Sequence, residues 1–147
     1  MSALNIFPTP SRLVPTSARL PFLNMRATCG FPSPAEDFMG EEQDLAELCI
    51  RNPPATFFAQ AEGDSMRGFG IEAGDMLIID RSIDAKHGDI CLVLLDGGLT
   101  VKQLRMSKTS VALVSGHPTH PPIILGEEQE LQVWGVVTWS FKKQLRR

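Results

Sequence analysis

The chain has no basic excess, no long apolar run and no cysteine pattern, and each gap removes a class of protein. Its 14 Lys and Arg stand against 17 Asp and Glu, for a net charge of −3. That is not the global signature of a nucleic-acid binder. The longest apolar run, Ile90 to Leu95, falls far short of the ~20 residues that span a bilayer. A secretory signal needs an apolar stretch near the N-terminus, and residues 1–28 are broken by Pro8, Pro10, Pro15 and Pro21. The three cysteines, Cys29, Cys49 and Cys91, are odd in number and lack metal-ligand spacing. They read as reduced thiols of a cytoplasmic protein, with no metal or other cofactor expected. There is no internal repeat. The proline-broken start offers no pair of packed helices for a helix-turn-helix.

What is present fits one compact domain with appendages: 147 residues, 43% of them hydrophobic, are enough for a core. Residues 1–28 carry Arg12, Arg19 and Arg26 and no acid, and read as a mobile, mildly basic arm. An acid-free start also suits a transit peptide, but the amphipathic periodicity of one is missing. Residues 29–35, Cys-Gly-Phe-Pro-Ser-Pro-Ala, predict an extended junction without ladder bonding of its own. By residue type alone this is an ordinary linker. The organisation expected is therefore an arm over 1–35 and a folded domain over 36–147.

Residues 36–50 reverse the charge, with Glu36, Asp37, Glu41, Glu42, Asp44 and Glu47 and no base. Leu45, Leu48 and Cys49 fall at i, i+3, i+4, which predicts a short amphipathic helix from Gly40 to Ile50. Its acids read first as a solvated face, and second as a site for a basic partner or for the Arg-bearing arm. From Pro54 onward the pattern is short strands and turn signals. Strands are predicted over 56–61, 76–80, 90–95, 99–104, 110–114, 122–125 and 131–141. Asp96-Gly97-Gly98 marks a tight hairpin. This pattern predicts a mostly antiparallel β fold, a sandwich or partly open barrel. The basic tail Phe141–Arg147 is expected to be exposed.

The stretch with chemistry in it is Ala61-Glu62-Gly63-Asp64-Ser65-Met66. Here Ser65 lies in a Gly-rich turn between two strand-forming runs. A serine hydroxyl is a poor nucleophile at neutral pH and needs a base beside it. His87, His117 and His120 all lie in turns or loops, where a histidine is more often simply solvated. Lys102 lies in Leu99-Thr100-Val101-Lys102-Gln103-Leu104, a strand pattern with apolar residues on both faces. A lysine covered on both sides loses hydration, which lowers its pKa and favours the neutral amine. The competing reading is a lysine at a strand edge with its ammonium in water. Spacing alone does not decide between them.

Several segments in order resemble one known family. Gly63-Asp64-Ser65-Met66, Gly74-Asp75-Met76-Leu77-Ile78-Ile79-Asp80, His87-Gly88-Asp89-Ile90 and Leu99-Thr100-Val101-Lys102-Gln103-Leu104 are similar to the self-cleaving Ser-Lys peptidases of the LexA/UmuD type. Cys29-Gly30-Phe31-Pro32-Ser33-Pro34-Ala35 resembles the cleavage region of the UmuD branch, which has no DNA-binding domain. Pro122-Ile123 and Val133-Trp134-Gly135-Val136-Val137 resemble its closing strands.

The resemblance implies a LexA C-terminal-like β fold with a short helix and an extended N-terminal arm. It implies Ser65 as nucleophile, Lys102 as base, backbone N–H groups of Asp64 and Ser65 as oxyanion hole, and cleavage between Cys29 and Gly30. The partners it implies are a second copy in a homodimer, a RecA filament on single-stranded DNA, and the UmuC-like catalytic subunit of a Y-family polymerase. The setting would be the bacterial cytoplasm, with no membrane and no sequence-specific DNA binding. Signal peptidases also pair Gly-Asp-Ser-Met with a strand lysine but need a membrane anchor, and a phage-type repressor needs a DNA-reading domain. The remaining alternative is a non-cleaving interaction module of the same fold.

Overall fold

The computed structural model describes residues 18–23, 39–126 and 131–147. These residues form two compact units that meet in sequence between Arg51 and Asn52. Most of the arm, and the junction with Cys29 and Gly30, lie outside the described residues.

The smaller unit holds strand β1 (Arg19–Leu23), strand β2 (Met39–Asp44) and helix α1 (Leu45–Cys49). The two strands pair antiparallel, Arg19 opposite Asp44 and Pro21 opposite Glu42, and the register slips between Pro21 and Leu23. Proline has no N–H for a ladder, so an irregular pairing beside it is what its chemistry dictates. Two expectations are corrected here. The acidic segment is a strand as far as Asp44, and only its last turn is helical. Asp44 ends the strand by capping that turn, accepting from the N–H groups of Ala46 and Glu47. Nor are its acids only a solvated face. Arg19 lies 3.7 Å from the Glu47 carboxylate and donates to the Glu42 carbonyl.

The larger unit is built on one seven-stranded antiparallel sheet. Its strands are β3 (Thr56–Gln60), β4 (Met76–Asp80), β5 (Ile90–Leu95), β6 (Gly98–Met106), β7 (Val111–Val114), β8 (Ile123–Ile124) and β9 (Leu131–Phe141). They lie in the order β3-β4-β9-β5-β6-β7-β8. The mostly β, antiparallel reading therefore holds. The sheet does not close, because β3 and β8 remain its two edges. The β5–β6 hairpin turns at Asp96 and Gly97, both at positive φ (49° and 81°), the backbone that favours Asp-Gly in a two-residue turn.

Alternation places side chains of one strand on opposite faces. On β5, Leu92 packs with Ala59, Met66, Ile71, Leu77 and Ile79, whereas Cys91 and Val93 pack with Leu104, Leu113 and Val136. Both faces of the central strands are thus covered. That double cover is what gives β6, an inner strand beside the central β5, an apolar setting for a polar side chain.

Candidate active site

The turn that carries Ser65 begins where β3 ends. Ala61 continues the pairing for one residue, donating to the Asp75 carbonyl and accepting from the N–H of Gly74. The chain then reverses through Gly63-Asp64-Ser65 into a single 3-10 turn, Arg67–Phe69, closed by Gly70 at φ +80°. Met66 and Ile71, on either side of this turn, are buried in the apolar cluster. Burial of these two residues anchors the turn, and Ser65, just before Met66, is left half-buried.

The other side of the site comes from β6. The Lys102 amine donates to the Ser65 hydroxyl at 3.2 Å. Lys102 is only 8% exposed. Loss of hydration pushes its pKa below the ordinary lysine value, since an ammonium suffers more than an amine from an apolar setting. Its cross-strand neighbour on the same face is Cys91, fully buried, whose thiol is pushed up to about 11, first by burial and then by Asp89. A thiol with that pKa stays neutral and supplies no counter-charge. Among the described residues no carboxylate lies within ion-pair distance of Lys102.

Beside the pair runs a groove lined by Ala61, Glu62, Gly63, Met66, Leu99 and Val101, with Ser65 at its wall. Residues 98–102 of β6 pair with β5, and β7 joins the opposite edge only from Gln103 onward. Among the described residues, the far edge of 98–102 therefore carries no strand. The N–H groups of Asp64, Ser65 and Met66 likewise donate to no acceptor among the described residues.

The histidines lie elsewhere. His87 accepts from the N–H of Met106 through Nδ1. His117 and His120 stack on each other with ring centres 4.7 Å apart, and His117 Nε2 lies 3.4 Å from the Asp64 carboxylate. Sequence reasoning missed that contact. It also missed the backing of the Ser65 turn by Gly116, which donates to the Ser65 carbonyl and accepts from the N–H of Gly68, both at 2.6 Å. A Cβ on Gly68 would sit 2.5 Å from the Gly116 oxygen. Two glycines fifty residues apart give no sequence signal of such an approach. The tail was also read too simply, because Lys142 reaches back to both oxygens of buried Asp75 at 2.8 and 2.7 Å and to Glu72 at 3.2 Å. Among the described residues no group of His, Cys, Asp and Glu is arranged to hold a metal, and no helix is long and apolar enough to cross a membrane.

The fold is mostly β and antiparallel, and it sets Ser65 in a Gly-rich turn against a buried strand lysine. Residues 21–138 match the peptidase S24-like family, and the chain belongs to it. Protein SamA of Salmonella typhimurium is 42% identical over 124 residues, covering 84% of this chain and 86% of that protein. Protein MucA of Escherichia coli is 37% identical, covering 82% and 83%. LexA repressor 1 of Xanthomonas campestris is 35% identical over 80 residues, 54% of this chain and 40% of the repressor.

Proposed function

We propose that this protein is a UmuD-like autopeptidase that cuts its own Cys29–Gly30 bond, with Ser65 as nucleophile and Lys102 as general base. The observation that carries the reading is the 3.2 Å hydrogen bond to the serine hydroxyl from a buried lysine that has no counter-ion among the described residues. The neutral amine of Lys102 takes the Ser65 proton, and Oγ bonds to the Cys29 carbonyl carbon. The developing oxyanion is held by unengaged backbone N–H groups of the turn, those of Asp64 and Ser65. Collapse breaks the C–N bond, and the Gly30 amine leaves with the proton returned by the Lys102 ammonium. Water, deprotonated by the same amine, then attacks the ester. It frees Ser65 and leaves Cys29 with a carboxylate.

The groove suits an extended substrate. A peptide laid along the free edge of 98–102 would gain ladder hydrogen bonds and bring its carbonyl past Ser65. Gly30 lacks a Cβ, which lets the leaving side approach closely. The product, residues 30–147, would act as a dimeric accessory subunit of a Y-family polymerase during SOS mutagenesis. A RecA filament on single-stranded DNA would stimulate the cut in the bacterial cytoplasm. This part rests on the relationship to the UmuD-like proteins and on the motifs around Cys29, Ser65 and Lys102.

The test is incubation of the purified full-length chain at alkaline pH, followed by intact mass and sequencing of the new N-terminus. A fragment beginning at Gly30, abolished by Ser65→Ala and by Lys102→Ala in folded protein, is the expected result. A fragment beginning elsewhere would overturn the bond assignment. No conversion even with a RecA filament on single-stranded DNA would favour the non-cleaving interaction module.

A further inference from the structure

The backing of the nucleophile turn is more than backbone. The segment after β7 reaches the turn through Gly116, which donates to the Ser65 carbonyl just before the 3-10 residues and accepts from the N–H of Gly68 within them. The next residue, His117, lies against Asp64, the residue before Ser65. The ring has a defined orientation. The N–H of Thr119 donates to Nδ1 at 3.2 Å, and the Thr119 hydroxyl lies 2.7 Å from the same nitrogen. An imidazole nitrogen that accepts an N–H bond carries a lone pair, so the neutral ring has its proton on Nε2. Nε2 itself lies 3.4 Å from an oxygen of the Asp64 carboxylate, within ion-pair distance. The imidazole is three-quarters buried while Asp64 is largely exposed. The histidine is therefore the fixed member of the pair and the aspartate the one being held.

We propose that His117 is a positioning residue for Ser65. It contacts the Asp64 side chain through Nε2, and together with Gly116 it fixes the turn that carries Ser65. Without His117, the Asp64 side chain loses the one ion-pair partner it has among the described residues, and the peptide unit between Asp64 and Ser65 gains freedom. That peptide unit carries the Ser65 N–H assigned to the oxyanion and sets the direction of Oγ toward Lys102. The inference rests on the self-cleavage reading for its effect on rate, but the brace itself can be tested without cleavage.

The experiment measures conversion of the full-length chain at fixed alkaline pH for wild type, His117→Leu, His117→Gln, Asp64→Ala and the His117→Leu/Asp64→Ala pair, with melting temperatures as a fold check. Glutamine places an amide N–H near the position of Nε2, and leucine places none. Loss of positioning by a fraction of an ångström should slow conversion roughly tenfold in His117→Leu. His117→Gln should recover most of the rate, and His117→Leu should have no further effect once Asp64 is alanine. Equal slowing by leucine and glutamine, or effects of His117→Leu and Asp64→Ala that multiply, would overturn the proposal.

In parallel, the backbone amides of Asp64 and Ser65 are followed by NMR relaxation in non-converting Lys102→Ala, with and without His117→Leu. Greater amide mobility in the His117→Leu background supports the brace, and unchanged mobility overturns it. If wild type does not convert at all, the self-cleavage reading fails and the NMR result alone decides the brace.

Discussion

Replacing Lys102 by methionine should remove activity and add stability, and the second effect is the sharper test of the site. The side chain is 8% exposed and donates to a single neutral acceptor, the Ser65 hydroxyl. An ammonium there forfeits hydration, and no carboxylate among the described residues repays it. Methionine keeps most of the stem and has no charge to desolvate. Replacing buried ionic groups by apolar ones of similar volume is often stabilising by 1–4 kcal/mol. Here, with half of a pair and partial relief by deprotonation, a gain of about 1 kcal/mol at pH 7 is expected.

The gain must also vary with pH. The folded-state pKa of Lys102 is lowered, so between that value and the unfolded value near ~10.4 the unfolded chain binds the extra proton. Wild-type stability therefore rises with pH through that window, and the methionine advantage shrinks until both proteins carry a neutral side chain. Urea unfolding at pH 7 and pH 10, read by the fluorescence of Trp134 and Trp139, measures both numbers on samples too young to have converted. Conversion should fall by ~10²–10⁴, the usual share of a general base. In wild type it should rise with pH with a midpoint below that of an ordinary lysine. A methionine variant less stable than wild type at pH 7, or a difference blind to pH, would refute the desolvation reasoning. Conversion at the wild-type rate would remove Lys102 as the base.

Three further outcomes follow from other contacts. Gly116→Ala brings a Cβ to 2.8 Å from the Gly68 nitrogen and 2.9 Å from that of Phe69. Backbone has to move, so a loss of roughly 1–3 kcal/mol in urea unfolding is expected, with slowed conversion. Unchanged values for both would show that the brace is slack. Lys142→Met leaves the buried Asp75 carboxylate with only the Glu72 N–H as a donor among the described residues and should lower stability at pH 7. The Lys142 pKa is raised, chiefly by its hydrogen bond to Asp75. Its contribution is therefore full below the ordinary lysine value and lost as pH climbs through the raised one. Urea midpoints at pH 7 and above pH 11 should show the deficit of the variant closing. Cys91, fully buried with its thiol at about 11, should resist iodoacetamide at pH 8 in the native protein and react once urea unfolds it. Peptide mapping that finds Cys91 labelled in the native state would contradict that burial.

The β framework could be read from the chain because its cues are local. Strand-forming runs such as Met76–Asp80 and Ile90–Leu95 are bounded by Gly or Asp-Gly turns, and the strands fall there. The helix was overdrawn because an i, i+3, i+4 match at Leu45, Leu48 and Cys49 cannot say where a helix begins. Asp44 decides that, through its cap. Strand β1 was missed because Pro21 reads as a breaker, yet a two-stranded ribbon leaves edge positions where a missing N–H is tolerated. At the site, the spacing of 37 residues between Ser65 and Lys102 carries no information about contact. Family motifs singled out the two residues, and the sheet order brings them together. What no motif carried were contacts between segments with ordinary composition, namely Gly68 with Gly116, Asp64 with His117, and Asp75 with Lys142. Such contacts are properties of the packed chain, and their residues look unremarkable one at a time.

The same packing explains why the site lies where it does. A lysine has its pKa lowered by burial only where both faces of its strand are covered, which in this sheet holds on the inner strand β6. A peptide can be received only where a strand edge is free, which normally means the rim. Residues 98–102 meet both demands, because β7 pairs with β6 only from Gln103 onward. The interval between the hairpin at Asp96-Gly97 and that first pairing residue is thus a rim inside the sheet, with Lys102 at its inner end. Extending β7 backwards to pair with residues 98–102 would complete the ladder and make the sheet more regular. It would also fill the edge where a substrate strand has to lie, so the shortness of β7 and the chemistry proposed for Ser65 and Lys102 are one structural fact.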